Sequence, residues 1–290
     1  MLIDQLLNGL TIGSVYALVA VGYTMAYGVL NLINFAHGSI YMMGGFFALA
    51  LLTRSVPGGT ATVVAVAVLA TAVLGVLVEL VAYRPIRTAP RSAQLISALG
   101  MLIVLNNVAM LLWGSSPKRF PSLLPEAGSF LGFQLPVARL AIIGGSLALM
   151  LVLSLFIYLT KIGAAMRAST LDMDAARLMG IDIDRVISAT FAIGSGLAAA
   201  AGILVGSYYN VVVFNMGDII GLKAFVAAIL GGIGNIPGAM VGGLFLGMAE
   251  TVGAAYISSG YKDAIAYIIL ILVLLVRPGG ILGAYGEERA

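Results

Sequence analysis

Residues Asn31–Gly45 read NLINFAHGSIYMMGG, and they hold the only histidine of the chain, two asparagines and three glycines. They lie inside a run from Gln5 to Thr53 that contains no Asp, Glu, Lys or Arg. That run is longer than the roughly 20 apolar residues one membrane crossing needs, so it predicts two apolar segments joined at the polar stretch. Amides and an imidazole facing lipid would be left without partners. Asn34 and His37 therefore mark an interrupted helix turned toward protein or water. Two readings follow: these groups border a solute path, or they hydrogen-bond freed backbone groups and a neighbouring helix. Gly38 closes the motif.

The rest of the chain repeats the same chemistry. Of 290 residues, 61% are hydrophobic and 9% charged, against about 25% charged in a soluble domain. Mean hydropathy is +1.09. Apolar segments fall at 5–30, 31–53, 60–82, 93–113, 137–160, 186–209, 222–256 and 262–276. The expectation is an all-α polytopic membrane protein, a single transmembrane domain over 1–290 with about eight hydrophobic segments of spanning length. The first segment has no basic flank and outruns a signal-peptide core, so it reads as a retained span rather than a cleaved leader. There is no cysteine, which excludes a disulfide framework and thiolate metal sites.

Charge orders the segments. The loop YRPIRTAPRS carries Arg84, Arg87 and Arg91 with no acid, and a second basic loop at 161–185 carries Lys161, Arg167, Arg177 and Arg185. Two segments separate these loops, so both fall on one side, the cytoplasmic side by the positive-inside rule. The intervening GSSPKRFPSLLPEAGSFLGFQLP then lies outside, where Pro117, Pro121, Pro125 and Pro136 predict a loop without long helices. Only Asp4 is charged before Arg54, which leaves the side of the N-terminus unassigned. The stretch 222–261 must begin and end outside, and GGIGNIPG interrupts it. A broken or re-entrant helix pair is expected there, with Gly231, Gly232, Gly234 and Asn235 at the break. Gly-interrupted apolar segments early and late in a chain point to a transport path. The glycines have a second reading, as sites of close helix approach or a re-entrant turn. The scarce polar points of such a path are Asn31, Asn34, Asn106, Asn107 and Asn235.

Several functions are excluded by residue type. No Gly-Lys pair occurs, so this chain has no P-loop. One histidine and no cysteine rule out paired-His and thiolate zinc motifs. No glycine-framed nucleophile turn accompanies His37. Glu79 and Glu250 are the two acids expected at membrane depth, too few and too peripheral for a proton relay. Glu250 is expected in a buried interhelical hydrogen bond, and the three arginines at 84–91 as topology determinants.

The loop KIGAAMRASTLDMDAARLMGIDIDR predicts a short amphipathic helix. Ser169 or Thr170 is placed as its N-cap, Asp172 and Asp174 in its first turn, and Gly180 as its stop. Within it, DAARLMG (Asp174, Ala175, Ala176, Arg177 to Gly180) resembles the EAA-x-x-x-G coupling motif of ABC-importer permeases, with Asp for Glu. The I-x-L-P continuation of that motif is absent; RVISATF stands there. The N-terminal NGLTIGSVYALVAVGYTMAYGVLNLINFAHGSIYMMGGF, with ELVAYRPIR, RLMGI, GLKAFVAAILGGIGNIPGAMVGG and VRPGGILG, is similar to the first of the two paired permeases of high-affinity branched-chain amino-acid ABC importers. The likeness runs through nearly the whole chain in order.

That resemblance implies a fold related to type II importer permeases in a bacterial plasma (inner) membrane. It implies a second related permease, two ATPases that supply the P-loops and bind ATP and Mg, and an external or periplasmic solute-binding protein. No cofactor on this chain and no nucleic-acid partner are implied. The cargo would be L-leucine, L-isoleucine and L-valine, or, within the same family, urea, short amides or aromatic acids. A stand-alone secondary transporter or channel for a small neutral solute is the alternative the composition allows.

Overall fold

The long uncharged run divides where its polar groups stand. Helix α1 (Leu2–Leu30) ends, residues 31–36 are non-helical, and α2 (His37–Thr53) follows. Asn31 takes a left-handed φ of 53° and its N–H bonds the Tyr27 carbonyl at 2.7 Å, so an asparagine supplies the conformation that terminates α1. The computed structural model describes residues 2–54, 58–123, 128–130, 133–135, 137–256 and 258–283.

The chain continues through α3 (Gly59–Val78), a π-helical turn over Glu79–Tyr83, and α4 (Arg91–Trp113). Short strands β1 (Lys118–Arg119), β2 (Gly128–Phe130) and β3 (Phe133–Leu135) occupy the proline-rich loop, of which Pro125 and Pro136 lie outside the described residues. Then come α5 (Val137–Leu159), α6 (Lys161–Leu171), α7 (Met173–Leu178), α8 (Ile183–Tyr209), β4 (Val211–Val212), α9 (Met216–Gly231), α10 (Ile236–Tyr256) and α11 (Lys262–Val276). Seven helices among the described residues are long and apolar enough to cross a membrane; α2, with 17 residues, is a shorter apolar helix. The second segment is thus corrected: it begins at His37, not at 31. The segment expected from 222 to 256 is two helices, the first starting at Met216, with 232–235 between them.

Two contacts define the ends of the bundle. Arg87 of the first basic loop meets Asp184 at 2.6 Å, at the start of α8. At the far end of α8, β4 pairs antiparallel with β1. Gly28 of α1 lies near Thr170 at the basic end, while Gly9 and Gly13 lie against Met248 and Leu244 of α10. The N-terminus of α1 is therefore at the end opposite the basic loops, the side the charge pattern left open. By the positive-inside rule the basic end is the one expected to face the cytoplasm, so α1 is expected to enter from outside.

Glycine sets the packing. Apolar side chains gain little by leaving lipid for another helix, so close backbone approach has to supply the association. Gly9, Gly13 and Ala17 of α1 face Gly243 and Gly247 of α10, and a Cβ on Gly13 would come within 2.9 Å of the Leu244 Cα. The spans of α1 and α8 are each 72% buried, whereas that of α11 is 6% buried. So α1 and α8 form the centre, and α3, α4, α5 and α11 present leucine, isoleucine and valine outward.

Candidate functional site

A cavity of about 690 Å³ opens at the basic end of the bundle. Its wall brings together the end of α1 (Gly28, Asn31), the second break (Gly234, Asn235) and the α5–α6 corner (Tyr158, Arg167). Gly234 has φ +92°, with no atom within 4 Å of a Cβ placed there. Asn235 holds the break in shape: its Oδ1 accepts from the Gly238 N–H at 3.0 Å, and its Nδ2 donates to the Leu282 carbonyl at 2.7 Å. Two backbone bonds, Ile281 N–H to Leu230 and Leu282 N–H to Gly231, pin the C-terminal segment under α9. Arg167 donates to the Ile157 carbonyl and lies 5.4 Å above the Tyr158 ring, so one guanidinium edges an otherwise mostly apolar wall.

The other residues singled out at the breaks lie elsewhere. Asn34 is buried and accepts a hydrogen bond from the Tyr83 hydroxyl at 2.7 Å, tying 31–36 to the π-helical turn. His37 is buried between Gly22 and Gly194, edge-on to Tyr23 with ring centroids 4.9 Å apart. A Cβ on Gly38 would come within 2.9 Å of the Gly221 Cα, with the Gly217 carbonyl closer still. Gly231 packs on Gly238, and Gly232 on Gly283 of the tail. None of these five lines the cavity. Asn106 joins three helices, accepting from Ser39 at 2.9 Å and donating to Asp218 at 2.8 Å, while Asn107 bonds back to the Ile103 carbonyl.

The loop at 161–185 folds as two short helices. Ser169 and Thr170 sit within α6 and bond back to Ala165 and Met166, so neither is the cap expected of them. Asp172 takes that place, its Oδ1 accepting from the N–H groups of Asp174 and Ala175 at 2.8 and 3.0 Å. A hydroxyl in the last turn of a helix reaches its own i−4 carbonyl more readily than the next helix. Gly180 ends α7 with φ +83°; its N–H bonds Arg177 and that of Ile181 bonds Ala176, the paired bonds of a Schellman stop. Ala176 is buried, whereas Asp174, Ala175, Arg177, Leu178 and Met179 are exposed.

Charge at membrane depth exceeds what the sequence reading placed there. Glu79, fully buried, receives Arg87 at 2.8 Å, Ser188 at 2.9 Å and Arg84 at 3.3 Å. The arginines at 84 and 87 thus lock the π-helical turn to α8 as well as marking a side. At the opposite end Glu250 is fully buried in an ion pair with Lys223, which also meets Asp263 at 2.6 Å. Lys223 was missed because GLKAF reads as the start of an apolar span.

The sequence comparisons bear directly on this architecture. The family model described as the permease component of branched-chain amino acid transport systems matches residues 5–274. The chain belongs to this family. It is 45% identical to the high-affinity branched-chain amino acid transport system permease protein BraD of Pseudomonas aeruginosa, over 99% of this chain and 97% of that one. It is 44% identical to the corresponding LivH protein of Escherichia coli, again over 99% and 97%. A probable LivH protein of Methanocaldococcus jannaschii is 31% identical over 92% of this chain and 88% of its own. No solved structure matches. As a branched-chain permease, the chain is a multi-pass, non-catalytic membrane component of an ATP-binding-cassette transport system. The stand-alone channel and secondary-transporter readings fall with that assignment.

Proposed function

We propose that this permease pairs with a second, related permease and is driven by two P-loop ATPases that dock on α7, while an external binding protein delivers L-leucine, L-isoleucine or L-valine. What carries the docking assignment is the geometry of α7. It is a helix of about one and a half turns, capped at both ends, with Ala175 and Leu178 exposed on it and Met179 exposed at its C-cap. Gly180 and Asp182 connect it directly to α8, and Asp184 is ion-paired to Arg87 next to buried Glu79. A push on α7 is thereby passed to α8, a central helix, and to the inner end of α3. The cavity between the α1 end and the 232–235 break, immediately beside α6, is the inner end of the solute path in this reading.

The test is Ala175→Arg, at an exposed position where a long cation obstructs a partner's groove without touching the core. Leucine uptake in cells is expected to fall about thirtyfold, the factor for an interface hot spot of ~2 kcal/mol. The permease should remain at normal abundance in the membrane, and the ATPases should be depleted from its affinity pull-down. Full uptake with the ATPases still bound would remove α7 as the docking element. Mass spectrometry of the wild-type pull-down identifies the second permease and the ATPases directly.

A further inference from the structure

A second cavity lies at the outer end of the bundle, far from the one already described. Its volume is about 170 Å³, well below the roughly 300–1,000 Å³ of pockets for drug-sized ligands. One wall is aliphatic, including Ile12, Val15, Ile142 and Ile220, and Lys223 and Lys262 stand on its edge. Behind them are the carboxylates that hold these ammonium groups: Glu250 and Asp263 on Lys223, and Glu250 again 3.5 Å from Lys262. Glu250 is wholly buried; Tyr16, another residue of the cavity wall, stands beside it. Yet its Oε2 accepts no hydrogen bond of normal geometry among the described residues.

We infer that this cavity is an entry site for a zwitterionic amino acid with a branched aliphatic side chain. The inference rests on the amino-acid reading of the importer and supplies a site for it. The charge pattern decides the ligand class. An anion entering here meets Glu250 and Asp263 as well as the lysines, and a cation meets the lysines as well as the acids; either leaves an uncompensated charge at membrane depth. A zwitterion does not. Its carboxylate takes the place of Glu250 on Lys223 and Lys262, its ammonium is received by the released acids, and no net charge is created. Glu250, once released from Lys223, is the acceptor for that ammonium, with Tyr16 beside it. The β-branched wall contacts the side chain, and the small volume admits one residue and no peptide. Because the internal pairs re-form when the solute leaves, occupancy is weak, as passage requires.

The absence of cysteine from the chain makes the test direct. Ile12→Cys, partly exposed on the cavity wall, is introduced into the purified full importer, and its modification by a small methanethiosulfonate is timed. Leucine is expected to slow the reaction several-fold, whereas leucinamide, without the carboxylate, and 4-methylpentanoate, without the ammonium, leave it unchanged. Protection by all three compounds, or by none, overturns the site. Leucine uptake by the same importer in liposomes is measured in parallel. Uptake without protection removes the entry site and leaves the importer assignment standing; no uptake of leucine removes the cargo assignment itself.

A second variant separates binding from architecture. Lys223→Met combined with Glu250→Gln removes both buried charges together, and leaves only Asp263 and Lys262, which are partly exposed and can be solvated. The double variant is expected to assemble and to keep ATPase stimulation by the loaded binding protein. Its leucine uptake should fall about tenfold or more, as for loss of a desolvated charge partner. Undiminished uptake would reduce the cluster to a structural ion pair and overturn the proposal.

Discussion

The two interrupted stretches, 31–36 and 232–235, look alike in sequence: NFAHG precedes GGFFALALL, and NIPG lies before GGLFLGM. In the folded chain they do different things. The first break is packed shut. Asn34 is bonded to Tyr83, His37 fits between two glycines of neighbouring helices, and Gly38 lies against the backbone of α9. The second is open on one side: Gly232 packs on the C-terminal segment, but Gly234 is unobstructed on the cavity wall, and Asn235 caps α10 while tethering that segment. The difference teaches that a Gly-and-Asn interruption specifies a stop in a helix and nothing more. Whether it becomes a seam or a cavity wall depends on what the other helices bring to it.

Substitutions at the two breaks test that contrast. Gly38→Ala should have the largest effect, because the added methyl meets the Gly217 carbonyl and the Gly221 Cα rather than a movable side chain. The expected destabilisation is at or above the upper part of the roughly 1–3 kcal/mol usual for overpacking, read as loss of folded protein in a detergent melt. Asn34→Ala should come next, at about 1–2 kcal/mol, since it leaves the Tyr83 hydroxyl buried without its acceptor. Adding Tyr83→Phe should recover part of that loss, and a double variant whose loss equals the sum of the losses of Asn34→Ala and Tyr83→Phe alone would show that the pair is not coupled. Gly234→Ala should be the mildest, about 1 kcal/mol from its left-handed φ alone. A melt as severe as that of Gly38→Ala would mean that the second break is also a seam.

The charge clusters repeat the lesson at the two ends of the bundle. Glu79 and Glu250 stand out as acids in apolar segments, and their burial follows from the sequence alone. Their partners do not. Arg84 and Arg87 belong to a loop that the positive-inside rule already explains, and only the fold shows them reaching back to Glu79 and across to Asp184. Lys223 is further from its partners in sequence, meeting Glu250 and Asp263 on α10 and α11. Ala176 shows the same limit on a smaller scale: the motif marks Ala175 and Ala176 alike, but one faces solvent and the other the interior.

The sequence by itself determined the membrane character, most segment boundaries, the placing of both basic loops at one end, the helix stop at Gly180 and the family. Each of these rests on local chemistry: apolar length against bilayer thickness, the sign of loop charge, and the conformations open to glycine. The tertiary structure alone decided the direction of α1, the capping of α7 by Asp172, and which break lines the inner cavity. It also decided the pairing of Lys223 with Glu250 beside the outer one. These are relations between residues far apart in the chain. A side chain's local pattern says that it must be satisfied, and only the packing of distant helices says by what.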